Sequence, residues 1–224
     1  MATRQGYEDK LKDLRIEVMR MGGLVEEAVS KAAFSMLKQD PALTDQVRRG
    51  EVAINHQELV IEDKCVIIIA TEQPVAHDLR QIISTLKSTR ELERIGDYAA
   101  HLASASSRLF GGKTIDQFPQ QVPQRIRQML EISIRMIKDT IAAFGAEDTA
   151  LCREIMDRDD QIDSLYLEVF KEFLTEIQNS PENAAQLNTL IFISKYIERL
   201  ADHIINICEE VIYMHTGERI EKPT

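Results

Sequence analysis

Tryptophan is absent from this sequence, and five tyrosines and seven phenylalanines supply all of its aromatic content. Turn formers are nearly as scarce, with nine glycines and six prolines. A β-sandwich or barrel needs many tight turns and bulky strand residues, so the core must be aliphatic and the chain mostly helical. The three cysteines, Cys65, Cys152 and Cys208, lie far apart with no C-x-x-C spacing. That excludes a disulfide framework and a thiolate zinc site, and it leaves small apolar core residues in a reducing compartment. The longest apolar run, Cys65 to Ala70, is far short of the ~20 residues a membrane-spanning helix needs. The first ten residues, MATRQGYEDK, are too polar for a signal peptide. A soluble, cytoplasmic protein without a transmembrane segment is expected.

Positive charge is in deficit too. Lys and Arg number 27 against 37 Asp and Glu, a net charge of -10. Direct nucleic-acid binding, which usually sets a basic face against phosphates, is excluded. The acidic balance suits cation binding, a basic partner or simple solubility.

What is present is long helical periodicity. Tyr7, Leu11, Leu14, Val18, Met21, Val25, Ala28, Ala32 and Met36 follow one another by steps of three or four, the seam of a helical bundle. Every proline falls where a helix could start or stop. Asp40-Pro41 and Ser180-Pro181 read as N-cap and first helical residue, and Gly111-Gly112, Gly145 and Gly217 read as helix ends. Six helices are predicted, over 4–38, 41–71, 75–109, 123–144, 148–179 and 182–216, joined by short connections that make neighbours antiparallel.

The chain also repeats itself. Glu93-Arg94-Ile95-Gly96-Asp97 recurs as Glu198-Arg199-Leu200-Ala201-Asp202, 105 residues later. One helix upstream, Glu51-x-x-Ile54-Asn55 has a counterpart in Asp159-x-x-Ile162-Asp163. The implied fold is all-α: two tandem antiparallel three-helix bundles related by internal duplication, residues 1–112 and 113–224, with Gly111 to Gln121 as linker.

Residues four apart share a helical face, so Glu93 stands beside Asp97 and Glu198 beside Asp202. Such a pair is ordinarily a solvated acidic face. Here it recurs in both halves, on lines that begin with apolar Leu86 and Ile191. A carboxylate interrupting an apolar stripe needs a compensating partner. Arg94 and Arg199 point about 100° away from the preceding Glu and are expected to pair with neighbouring helices. A cation is then the simplest partner, with Glu51, Asp159 and Asp163 adding oxygens from the helix alongside. Divalent or trivalent ions such as Mg, Mn, Ca, Fe or Zn fit such ligands. A metal-free ion-pair network is the structural alternative.

Other motifs fail. Glu-x-x-His, needed for a ferritin-like site, does not occur. His101 continues the line of Glu93 and Asp97 but has Asn206 as counterpart, which suits a lone surface histidine. The series Asp157, Asp159, Gln161, Asp163 and Glu168 imitates a calcium loop, but Ile162 occupies the position that needs glycine. Gly112-Lys113-Thr114 lacks the first glycine of a P-loop. Nothing resembles an active site, and the expectation is a protein that is not an enzyme. The runner-up is a carboxylate-bridged metalloenzyme such as a phosphatase.

The string Glu91-Leu92-Glu93-Arg94-Ile95-Gly96-Asp97, the upstream Gln73-Pro74-Val75-Ala76-His77-Asp78-Leu79-Arg80, and Met21-Gly22-Gly23 resemble the PhoU family. The resemblance runs from about residue 5 to 216. It implies two three-helix bundles with metal held at Glu93, Asp97, Glu198 and Asp202, and also at Glu51, Asp159 and Asp163. Asn55 stands where a further carboxylate would complete the first cluster. The resemblance further implies a negative regulator of the phosphate-starvation response, coupling a phosphate ABC transporter to a sensor histidine kinase. A homodimer, cytoplasmic or peripheral at the membrane through its partners, goes with that role.

Overall fold

Two aspartates open the middle helix of each half in the same way. Asp40 is extended (φ -96°, ψ 106°) and its carboxylate accepts the Ala42 N–H at 2.9 Å, with Pro41 at the first helical position. Asp148 (φ -81°, ψ 94°) accepts the N–H groups of Ala150 and Leu151, both at 3.0 Å. Each cap satisfies amides that the helix itself leaves open. The structure, a computed structural model, describes residues 2–38, 40–109, 115 and 121–220. Its helices are α1 (Ala2–Lys38), α2 (Pro41–Glu72), α3 (Ala76–Leu109), α4 (Gln121–Ala146), α5 (Thr149–Asn179) and α6 (Ala184–Thr216). No strand occurs among the described residues. The division between residues 112 and 113, most of the linker and Gly111 to Thr114 lie outside the described residues.

Two helix ends depart from the sequence reading. Ser180 makes no N-capping bond through its side chain to the turn that follows it. Its N–H closes α5 on the Glu176 carbonyl, Pro181–Asn183 form one 3-10 turn, and α6 starts at Ala184. Gly145 does not end α4 by turning left-handed; Glu147 does so, at φ 54°. Gly145 serves close approach instead, since a Cβ there would lie 3.1 Å from the Met19 sulfur on α1. Gly217 does take the left-handed conformation (φ 78°) and caps α6.

Ion pairs fix the antiparallel register. Lys10 meets Glu72 at 2.5 Å, while Glu17 accepts from Gln57 at 2.7 Å and Lys64 at 2.5 Å, zipping α1 to α2. The Lys64 and Gln57 hydrogen bonds hold the Glu17 carboxyl below its ordinary range despite partial burial. Arg158 pairs with Asp139, and Arg125 with Glu168 at 2.6 Å, across α4 and α5. Helices α1–α3 form one bundle and α4–α6 the other, joined through α3 on α6 and α1 on α4. Their cores are continuous, from Met21, Ile54 and Ile95 through to Ile126, Ile162 and Ile197. Cys65, Cys152 and Cys208 are buried and free; burial first, then nearby Glu62, pushes the Cys65 thiol up to about 12.

The α3–α6 seam is built on a pseudo-two-fold axis. Tyr98 and His203, equivalent under the 105-residue shift, lie against each other with ring centres 5.5 Å apart and planes tilted by 32°. Glu91 on His203 at 2.6 Å is mirrored by Tyr98 with Tyr196, and Glu91 on Asn206 at 2.9 Å by His101 with Tyr196. His101 is thus exposed but packed against two tyrosine rings, because the seam brings α6 to its side. Burial works to raise the Glu91 carboxyl, but the His203 and Asn206 hydrogen bonds outweigh it and hold the group below its ordinary range.

Candidate metal-binding faces

Both acidic faces lie where the middle and last helices of a bundle meet. In the first bundle, Gly96 lets α2 come close, since a Cβ there would lie 3.0 Å from the Ile54 side chain. Ile54 is wholly buried and sits between Glu51, Asn55 and Glu58 on α2, so these three face Glu93 and Asp97 on α3. In the second bundle Ile162 is equally buried. There Asp163 on α5 faces Asp202 on α6, and Asp159 is buried one turn earlier.

Electrostatics show which acids share each face. Burial first, then Asp97, pushes the Glu93 carboxyl above its ordinary range, Glu51 adds to this, and Arg94 and Arg90 oppose it. Glu58 is raised by burial, then by Glu93 and Glu62, with Arg90 opposing and Asp97 adding. Asp202 is raised by burial, then by Glu198 and Asp163, against Arg199 and Lys195. The first face therefore joins Glu51, Glu58, Glu93 and Asp97, and the second joins Asp163, Glu198 and Asp202. Glu58 was missed in the sequence. It lies seven residues after Glu51 and so on nearly the same helical line, a spacing that could have identified it.

Among the described residues, both arginines pair along their own helices instead of across to neighbouring ones. Arg94 lies 3.3 Å from Asp97 and 3.8 Å from Glu93, while Arg199 lies 3.2 Å from Asp202 and 3.8 Å from Glu198. The long guanidinium stem spans one helical turn and folds back along its own helix, which overrides the 100° offset at Cα. Lys195 also pairs with Glu198 at 2.6 Å while its ammonium lies 5.0 Å from the centre of the Tyr166 ring.

Two observations bear on whether a cation fits. Among the described residues, Asn55 Oδ1 and Glu198 Oε2 are buried acceptors without a hydrogen-bond partner, and Glu198 Oε2 lies 3.8 Å from the Arg199 guanidinium. Unsatisfied acceptors among crowded carboxylates are what a hard cation relieves. Against this, no three acids, histidines or cysteines among the described residues stand close enough to enclose an ion as placed. The chemistry of the donors, carboxylate and amide oxygens, is the kind that oxygen-loving ions take, and Arg94, Arg199 and Lys195, which now stand beside them, are themselves about one-third to one-half exposed.

The PhoU domain model matches this chain twice, over residues 18–106 and 126–211, one match for each bundle. The chain belongs to the PhoU family. It is 34% identical over 220 residues to the "Phosphate-specific transport system accessory protein PhoU homolog" of Clostridium acetobutylicum, covering 98% of both chains. It is 33% identical to the protein of the same description in Aquifex aeolicus, covering 95% of this chain and 94% of that one. The crystal structure of PhoU from Pseudomonas aeruginosa superposes with a TM-score of 0.88 at 32% identity, over 95% of this chain and 100% of that one. The phosphate transport system regulatory protein PhoU from Streptococcus pneumoniae gives 0.87 at 30%, over 96% and 100%. Gly22, inside the first matched range, lies where α1 crosses α4, and a Cβ there would come within 2.6 Å of Ile141. Among the described residues, no helix is long and apolar enough to cross a membrane.

Proposed function

We propose that this protein is a non-enzymatic regulator of phosphate uptake that holds metal on its two acidic faces. It represses the phosphate-starvation response by coupling a phosphate ABC transporter to a sensor histidine kinase. The observation that carries this reading is full-length kinship with proteins described as accessory to a phosphate-specific transport system. Residues 1–112 and 113–224 act as the two units, and the working form is a homodimer, cytoplasmic and drawn to the membrane by its partners.

The geometry supports binding more than turnover. Glu93/Asp97 and Glu198/Asp202 lie along bundle faces beside arginines of their own helices, and both pairs are partly open to solvent. Metal at Glu51, Glu93 and Asp97, and at Asp159, Asp163, Glu198 and Asp202, would neutralise crowded carboxylates and stiffen the junction of middle and last helices. Glu58 joins the first set. A regulator acts by binding one state of its partner more tightly than another, and shifting an output from mostly off to mostly on takes about 5 kcal/mol of such preference. A broad helical face can supply this, since a standard interface buries ~1,600 Å².

The test is a reporter on a starvation-induced promoter in cells lacking the gene, grown in high phosphate. The reading predicts that the promoter is switched on; unchanged repression, with no second copy of the gene to compensate, contradicts it. Hydrolysis of a generic phosphate ester by pure, metal-loaded protein, abolished by Glu93→Gln, would favour the phosphatase reading instead.

A further inference from the structure

The second acidic face holds a cation of its own. Lys195 reaches along α6 to Glu198, Nζ to Oε1 at 2.6 Å, and the same ammonium lies 5.0 Å from the centre of the Tyr166 ring on α5. A pair three residues apart is ordinarily a solvated contact along one helix. Two features set this one apart. The Glu198 side chain is only 14% exposed and belongs to the acidic face, and a ring from a second helix stands against the cation. Lys195 therefore bridges the middle and last helices, the same junction that metal on this face would join.

The first face has no such occupant. Its counterpart of Lys195 is Arg90, 105 residues earlier, and its counterpart of Tyr166 is Glu58, 108 residues earlier. Arg90 opposes the raised Glu58 and Glu93 carboxyls by its charge but, among the described residues, forms no ion pair with either. The faces are otherwise matched. Each draws on four acids, Glu51, Glu58, Glu93 and Asp97 on the first and Asp159, Asp163, Glu198 and Asp202 on the second. Arg94 and Arg199 fold back alike, 3.3 Å from Asp97 and 3.2 Å from Asp202. The bound ammonium is what distinguishes the second face. A divalent ion entering there must either displace Lys195 from carboxylate and ring or share the face with its positive charge, and both weaken binding. We propose that Lys195 is a tethered cation that competes with metal for the second face, so that the first face fills at a lower concentration of a divalent cation than the second. The first face then stays occupied while the second responds to changing supply of the ion. The proposal rests on the metal-holding part of the regulatory reading and deepens it by naming the residue that sets the two faces apart.

The test is a Mn(II) titration of the whole, chelator-stripped protein, with free Mn read by electron paramagnetic resonance. E198Q/D202N leaves the first face to bind alone, and E93Q/D97N leaves the second. The second face should bind Mn at least about tenfold more weakly than the first. Adding K195M to E93Q/D97N should recover about tenfold, and adding Y166L, which removes only the ring, about two- to threefold. K138M, at an exposed lysine of α4, removes the same charge elsewhere and should change either face by less than about twofold. Circular dichroism checks the fold, and K195Q replaces K195M if helix content falls. Equal affinity at the two faces, or no gain from K195M beyond that from K138M, overturns the proposal and leaves the metal reading standing. Negligible Mn on wild type and on every variant overturns both.

Discussion

The two bundles share a plan and differ at the helix facing the motif. In both, a Glu-Arg-x-small-Asp segment of the last helix presents two acids, and the arginine folds back onto the second of them. Opposite, the first bundle offers Asn55 and Glu58 where the second offers Asp163 and Tyr166. Arg90 in the first corresponds to Lys195 in the second, and Lys195 is held by Glu198 and the Tyr166 ring. The first face thus has a carboxylate one turn beyond the place of Asn55, while the second has an aromatic wall and a captive ammonium. Duplication preserved the acids on α3 and α6, and divergence was spent on the helix across from them. The α3–α6 seam tells a similar story. One end is latched by buried Glu210, which accepts from Ser84 at 3.0 Å and Lys87 at 2.8 Å and pairs with Arg219 at 3.3 Å. At the equivalent end those positions are Ala105, Thr189 and Phe192.

The largest expected effect breaks that latch. Glu210→Ala strands Ser84 and leaves Lys87 and Arg219 without their acid, and should cost about 2–4 kcal/mol in denaturant unfolding. Thr189→Ala, at the counterpart of Ser84, loses only a bond to its own helix at 3.1 Å and should stay within about 0.5 kcal/mol. Equal losses would show that the two ends of the seam are alike.

Next come the neighbouring glycines of α1. Gly22→Ala forces a Cβ to 2.6 Å from Ile141 and should destabilise by about 1–3 kcal/mol. A Cβ at Gly23 meets nothing within 4 Å, so Gly23→Ala should stabilise the helix by about 0.5–1 kcal/mol. Thermal melts of the two variants should move in opposite directions, and a shift of the same sign in both would refute the close approach of α1 to α4.

A smaller effect concerns pH. Glu58, Glu93 and Asp202 hold their protons more tightly in the folded chain than in the unfolded one. In the window between the ordinary and the raised carboxyl range, the folded state therefore binds more protons, and their contribution to stability falls as pH rises. Chelator-treated Glu93→Gln should gain about 0.2–0.5 kcal/mol at neutral pH and show a flatter pH dependence. Asp202→Asn should shift in the same direction. A variant less stable than wild type at neutral pH would mean that the arginines already compensate the acids fully.

The helix spans were legible because proline, capping aspartates and the three-four apolar steps are local signals. The starts and ends of α2, α3 and α5 fall within a residue of the positions read from sequence. The pairs Glu93/Asp97 and Glu198/Asp202 were legible for the same reason, helped by their repetition. What escaped depends on packing between distant helices. Gly145 looked like a helix end, but its lack of a side chain serves Met19 on α1. His101 looked solitary because Tyr196 approaches it only across the seam. Glu91 entered only as the start of the family-like string and Asn206 only as the counterpart of His101, and it is the pseudo-two-fold contact of α3 with α6 that joins them to His203 as a unit. Glu58 could have been found from its spacing to Glu51, but without a matching acid at Tyr166 the repeat did not flag it. The arginines were misjudged because backbone direction was weighed and side-chain length was not.

Metal uptake tests the central claim most directly, that the two acidic faces are cation sites. Chelator-stripped wild type, Glu93→Gln/Asp97→Asn, Glu198→Gln/Asp202→Asn and the fourfold variant are each equilibrated with Mn, Fe, Zn, Mg or Ca. Bound metal is then counted by elemental analysis, with circular dichroism confirming the fold. The account predicts uptake by wild type, loss of one face's share in each double variant, and near-complete loss in the fourfold variant. Negligible metal in wild type, or equal metal in all four proteins, would contradict it and leave Arg90, Arg94, Lys195 and Arg199 as counter-charges sufficient for these acids.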